Sequence, residues 1–165
     1  MKRTVGSNPA PGLELENTMI SFCSITTLLP KYRQRILSEM SWTNGGMSYL
    51  LKHNAPRCKL ALRFEGKQLV CWAIMCFLDY EKNGRPFVGA WTSEKNRRKN
   101  HAHDTIAALL DHLRFPTVSK ISVYGMSIHR ILKRIGYVAT YQQWDEDKLR
   151  RWLNKNCARK VKKCQ

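Results

Sequence analysis

Ten consecutive apolar residues, LVCWAIMCFL at positions 69–78, constrain this chain more than any other feature. A strand with apolar side chains on both faces cannot lie at a solvated edge, so this run belongs in the middle of a sheet. Its neighbours fit that reading. Cys58, Leu60, Leu62 and Phe64 alternate with Lys59, Ala61 and Arg63, the period of a half-buried strand. Glu65-Gly66-Lys67 turns the chain between the two. Lys82-Asn83-Gly84 is a hairpin signal, and RPFVGAWTS, residues 85–93, is the returning strand. Gly89 in its middle predicts a bulge or a close backbone approach.

The flanking segments follow other periods. Residues 18–26, TMISFCSIT, read as a first strand. Leu29, Tyr32, Ile36, Leu37 and Met40 recur at helical spacing, with Pro30 tolerated in the first turn. Asn44-Gly45-Gly46 breaks the pattern before a short helix at 47–54. After a polar loop at 94–100, Ala102, Ile106, Leu109, Leu110 and Leu113 mark an amphipathic helix that stops near Pro116. Residues 120–126 form a short strand. Ile128, Ile131, Leu132 and Ile135 share one face of a further helix, and Gly136 stands where a left-handed cap is wanted. Residues 137–144 read as a last strand, and Asp145 caps a final helix. The expected organisation is a loose arm at 1–17, one domain at 18–156 and a basic tail at 157–165.

With 165 residues, a single domain buries roughly 70% of its unfolded surface and needs no metal or disulfide to hold a core. The apolar run is about half of a membrane span, so no transmembrane helix is expected. The first twelve residues carry no apolar segment of a secretory leader. Cys23, Cys58, Cys71, Cys76, Cys157 and Cys164 show no C-x-x-C and no paired framework, which predicts reduced thiols in a cytoplasmic protein. Their spacing with His101 and His103 matches no zinc pattern. The outlying number is charge: 29 Lys and Arg against 12 Asp and Glu, a net +17. Such a field attracts polyanions and says nothing about fold.

One segment combines charge with a helix start. A strand leads into Arg97, Arg98 and Lys99, and a helix begins directly after them. The unpaired amides and the dipole of a helix N-terminus favour an anion, and a diphosphate is the natural guest. The same residues also suit a solvated basic turn. Arg97-Arg98-Lys99-Asn100-His101-Ala102 resembles the R-x-x-G-x-G/A pyrophosphate loop of the GNAT superfamily of N-acetyltransferases. Ile131-Leu132-Lys133-Arg134-Ile135-Gly136-Tyr137 resembles that family's L-Y-x-K-x-G-F segment, and the order of elements matches across residues 19–144.

The resemblance implies an α/β fold of the GNAT acyl-CoA type, with a mixed central sheet and helices on both faces. It implies acetyl-CoA as cofactor, two parallel strands at 86–93 and 120–126 that splay apart, and a pantetheine arm inserted between them. The cofactor-binding residues are then Val88, Ala90, Trp91, Thr92, Arg97, Arg98, Lys99, Asn100, His101, Ala102 and His103. Two departures stand out. Asn100 replaces the family glycine; asparagine tolerates positive φ, and its side chain is placed to cap the helix or to crowd a phosphate. The family tyrosine that protonates the leaving thiolate falls at Leu132. Tyr124 and Ser127 are the replacement candidates for acid catalysis, and Asp79 and Glu81 are distant candidates for a base acting through water. The expected activity is acetyl transfer to a primary amine of a macromolecular or anionic acceptor, a protein or an aminoacylated tRNA. The alternative is a GNAT-like fold without turnover that binds nucleic acid or protein. The basic run at 148–163 would make phosphate contacts without reading sequence.

Overall fold

The computed structural model describes residues 18–40, 50–77, 85–123 and 125–141, and positions 147, 150, 151, 154 and 155. The chain runs β1 (Thr18–Ser24), a 3-10 turn (Ile25–Thr27), α1 (Pro30–Met40), β2 (Cys58–Glu65), β3 (Gln68–Cys76) and β4 (Phe87–Thr92). A second 3-10 turn (Glu94–Asn96), α2 (His101–His112), β5 (Lys120–Val123), α3 (Met126–Ile135) and β6 (Val138–Tyr141) follow. Residues 50–52 and the five positions between 147 and 155 are helical. The hairpin signal at Lys82–Gly84 and the cap at Asp145 lie outside the described residues.

The strands form one six-stranded sheet in sequence order. β1 to β4 pair antiparallel, while β5 runs parallel to β4 and β6 parallel to β5. α2 and α3 are the crossovers that parallel pairing demands. β3 is buried from Leu69 to Cys76, as its sequence requires. Trp72, Ile74 and Cys76 enter a core with Ile36 of α1 and with Leu50 and Leu51. Ala73 and Met75 enter a second core with Ile106, Leu109 and Leu110 of α2, Ile121 and Val123 of β5, and Leu132 of α3. Helices therefore cover both faces. Ala61, Ala73 and Ala90 stand in one row across β2, β3 and β4, and their small side chains leave room for α2.

Several boundaries differ from the sequence reading. β2 keeps its alternation, with Lys59 exposed and Arg63 partly so, except at Ala61, which is buried because α2 lies on that face. No bulge forms at Gly89, which pairs with Ile74 in unbroken register; the shift lies between Arg63 and Phe64. β1 ends at Ser24, where Thr27 turns back: the Ser24 N–H donates to Thr27 Oγ1 at 3.0 Å, and that hydroxyl donates to the Ser24 carbonyl at 3.1 Å. β5 stops at Val123 rather than at Met126, since Gly125 is the extended residue from which α3 starts. Gly66, at φ +61, makes the tight link from β2 to β3. Cys23, Cys58, Cys71 and Cys76 are free thiols.

Arg33 of α1 ties together three segments around the N-terminal core. Its guanidinium donates to the Leu51 carbonyl, to the Ile25 carbonyl at 2.7 Å and to Asn54 Oδ1 at 2.9 Å. Replacing it leaves two carbonyls of buried residues without their donor. Arg33→Met is expected to lower unfolding free energy by about 2 kcal/mol, read by urea denaturation, because hydrogen bonds from a charged donor exceed neutral ones and an orphaned acceptor adds its own cost.

Candidate functional site

β4 and β5 begin side by side and then part. Their register pair is Phe87 with Ser122, and the Ser122 N–H donates to the Pro86 carbonyl at 2.9 Å. β4 continues along β3 as far as the Thr92–Cys71 pair, while β5 leaves it. Among the described residues, the β5-facing edge of β4 thus has no ladder partner beyond Phe87. α3 follows β5, and Ser127, Ile128 and Ile131 form the other wall of the gap, opposite Ala90, Trp91 and Thr92. The resulting cleft has a volume of about 460 Å³.

The start of α2 closes one end of this cleft. Asn96 is buried in the preceding turn and donates from Nδ2 to Ser93 Oγ at 2.5 Å. Arg97 Nε donates to the Thr92 carbonyl at 3.2 Å, folding that side chain against the end of β4. Arg98 (φ 64) and Asn100 (φ 61) both take left-handed conformations, which wind the loop tightly before the helix. Asparagine is suited to that region, and its side chain makes no capping hydrogen bond, contrary to the capping role its type suggested. The first intrahelical bond runs from the Asp104 N–H to the Asn100 carbonyl at 3.0 Å. The amides of His101, Ala102 and His103 precede that ladder and have no i−4 carbonyl within the helix.

Electrostatics at this end are one-sided. Arg97, Arg98, Arg130 and Arg134 all line the cleft. His101 is only 7% exposed, and neither of its ring nitrogens has a hydrogen-bond partner among the described residues. Glu65 Oε2 approaches its Nε2 no closer than 3.7 Å. Burial pushes the His101 pKa below its usual value, and the Arg63 and Lys99 charges act in the same direction against Glu65 and Asp104. The imidazole is therefore neutral at pH 7. His103 Nδ1 lies 3.1 Å from Asp104 Oδ1. Beneath the loop, Thr92 Oγ1 donates to Cys71 Sγ at 3.4 Å, and burial raises that thiol's pKa.

Of the residues singled out from sequence, Ala90, Trp91, Thr92, Arg97, Arg98, Asn100, His101, Ala102, His103 and Ser127 line this one cleft. The Val88 side chain instead points into the second core, which leaves only its backbone to the gap. Lys99 is exposed beside the loop and is not part of the lining. Tyr124, Asp79 and Glu81 lie outside the described residues. Leu132, at the family tyrosine position, is fully buried. Sequence reasoning missed Asn96, Ile128, Arg130, Ile131 and Arg134 as lining residues. A signal existed for two of them: Arg130 and Arg134 follow Ser127 at spacings of three and four, which puts them on its side of α3.

No protein-family model and no curated protein matches the sequence. The structure resembles ribosomal-protein-alanine N-acetyltransferase from Brucella melitensis biovar Abortus 2308, with a TM-score of 0.50 and 12% identity over 78% of this chain and 96% of that one. It is also similar to a predicted acetyltransferase from Clostridium acetobutylicum, solved with acetyl-CoA, at a TM-score of 0.49 and 16% identity over 78% and 94% of the two chains. The chain has the GNAT acetyltransferase fold, with the mixed sheet and two-sided helix cover that its sequence implied.

A base whose folded pKa is depressed binds fewer protons in the folded state than in the unfolded one, so stability falls as pH drops through the unfolded value near 6.5. The wild-type melting temperature is expected to fall more between pH 7.5 and pH 5 than that of His101→Gln. Equal losses in calorimetry would remove His101 as a source of acid sensitivity.

Proposed function

We propose that this chain is an N-acetyltransferase that binds acetyl-CoA in the cleft between β4 and β5 and acetylates a primary amine. The observation that carries this reading is the coincidence of two features. An unladdered strand edge, suited to an extended amide-containing arm, leads directly to a helix N-terminus set among arginines, suited to a diphosphate. Both ring nitrogens of buried His101 at that helix start lack a hydrogen-bond partner among the described residues. The acetyltransferase fold, seen in an enzyme described as acting on a ribosomal-protein alanine, supports the same conclusion.

Each group has a part to play. The amides of His101, Ala102 and His103, with Arg97 and Arg98, hold the diphosphate. The free edge of β4 around Ala90, Trp91 and Thr92 aligns the arm and offers an N–H to the oxygen that gains charge during attack. Bound acetyl-CoA supplies a thioester whose C–S bond breaks as the amine nitrogen bonds to the carbonyl carbon. Tyr124, at the junction of β5 and α3, gives a proton to the departing sulfur, with the Ser127 hydroxyl next in line. The nitrogen's surplus proton leaves to water, a loss that is easier for an α-amine with a pKa near 8 than for a lysine near 10.4. The net charge of +17 supports a macromolecular or anionic acceptor, an acidic protein or an aminoacylated tRNA.

One observation favours a second reading. Leu132 puts a buried hydrocarbon where the family carries its acid, as in a fold kept for binding nucleic acid or protein without turnover. Calorimetry with acetyl-CoA, followed by mass spectrometry of amine acceptors, separates the two. Binding with acetyl transfer supports the enzyme; no binding at millimolar acetyl-CoA rejects it.

Two substitutions probe the roles. Arg97→Glu is expected to weaken acetyl-CoA binding by about 2 kcal/mol, because it removes a charge-assisted contact and adds repulsion. Tyr124→Phe is expected to lower kcat by roughly 100-fold with little change in acetyl-CoA affinity, the signature of a lost general acid. An unchanged kcat would transfer the role to Ser127 or water.

A further inference from the structure

β1 opens the sheet, and β2 pairs with it along its whole length on one side. No described strand covers its other edge. Edge strands that avoid further pairing carry charges, a proline or a bulge. β1, with the sequence TMISFCS, has no charged residue and no proline, and its register with β2 is unbroken. Its edge is therefore a template for one more strand. Beside it, on the α1 face, lies a groove of about 800 Å³ that shares no lining residue with the cleft between β4 and β5. Buried Leu62 and Phe64 of β2 line it together with Met19 and Leu29, each more than half exposed. Lys31 and Arg35 reach it from α1, and Lys67 from the β2–β3 turn. No acid lines it among the described residues. Glu65, next to it in sequence, is turned to the α2 face, 3.7 Å from His101 Nε2.

We propose that the edge of β1 and this groove dock an extended acidic peptide segment of a partner protein. A strand added to β1 gains backbone hydrogen bonds along the edge and presents every second side chain to the face that carries Met19 and Ser21. The cations come from two separate elements with apolar residues in the same lining, so the fit is to acids spaced by an apolar residue rather than to one anionic head. A second copy of the chain suits the edge poorly. Antiparallel pairing of two β1 strands would bring both sets of groove cations to one face of a joined sheet, in a chain whose net charge is already +17. The proposal is independent of the acetyl-CoA reading, since the two sites have no residue in common.

The test titrates the full chain by calorimetry, at physiological ionic strength, with an end-blocked heptapeptide of sequence TETVTET, the length of β1. Two further peptides replace its valine by serine or N-methylate all its amides. Two double variants carry the same change in charge: Lys31→Glu/Lys67→Glu in the groove, and Lys120→Glu/Lys133→Glu at exposed positions that line neither site. A circular dichroism melt checks that both fold. The groove variant is expected to bind the heptapeptide about tenfold more weakly than the control variant. The wild-type chain is expected to lose about tenfold in affinity for each modified peptide. Equal affinities of the two variants reduce the attraction to the overall field and overturn the site. A methylated peptide that binds like its parent, or no binding of the parent at millimolar concentration, overturns it on the wild-type chain alone. A stable dimer in light scattering that excludes the peptide assigns the edge to a second copy and likewise overturns the proposal.

Discussion

Helix α2 starts against the end of the sheet, and a helix start carries amides that the helix cannot satisfy. That constraint organises the region around it. The loop must turn sharply enough to begin the helix there, which two left-handed residues at Arg98 and Asn100 achieve. The first side chain of the helix goes inward, and His101 does so with no hydrogen-bond partner for either nitrogen among the described residues. Glu65 and Arg63, from the β2–β3 hairpin, set the field around that imidazole. Several elements thus converge on one small volume whose donors exceed its acceptors.

The sheet makes that convergence possible by separating two tasks. β1 to β3 are joined by continuous ladders, and β3 is buried on both faces, so they give a fixed base. The alanine row of Ala61, Ala73 and Ala90 lets α2 lie close to that base, which fixes the height of its first turn above the strand ends. β4 shares one ladder with the base and leaves its other edge open, so the strand that forms the cleft is also held by the core. A site built this way keeps its position through packing.

The sequence was legible where physical demands were local. The run through β3 could only be interior, and the apolar faces of α1, α2 and α3 declared themselves by period. Asn100 signalled its left-handed turn because few residue types accept that backbone; Arg98 adopts the same region without any such preference and gave no sign. Ala61 looked neutral in an alternating strand, and only the arrival of α2 buries it. His101 read as a cofactor-binding residue at the helix start, and its burial was not legible, because Arg63 and Glu65 beside it come from a hairpin far earlier in the chain. Arg130 and Arg134 shared a helix side with Ser127, but an arginine on the polar side of an amphipathic helix has the same sequence signature whether it faces water or a cleft. The cleft itself depends on where two parallel strands stop pairing, and no single segment encodes that.

Among the described residues β4 and β5 share a single register pair, and that seam has a mechanical consequence. On one side of that seam the strands are joined by continuous backbone ladders; on the other, β5, α3 and β6 meet the rest through apolar side chains of the second core, with the Ser122 N–H on the Pro86 carbonyl and Tyr137 Oη on the Phe115 carbonyl as hydrogen bonds across it. Apolar contacts are non-directional and tolerate small displacements that a hydrogen-bond ladder would resist. Separating the C-terminal unit at that seam breaks fewer described backbone hydrogen bonds than parting any other pair of neighbouring strands. Anything that bridges the gap would act as a clasp between two blocks, and its arrival would be felt as slower amide exchange along β5 and β6, well away from the atoms it touches.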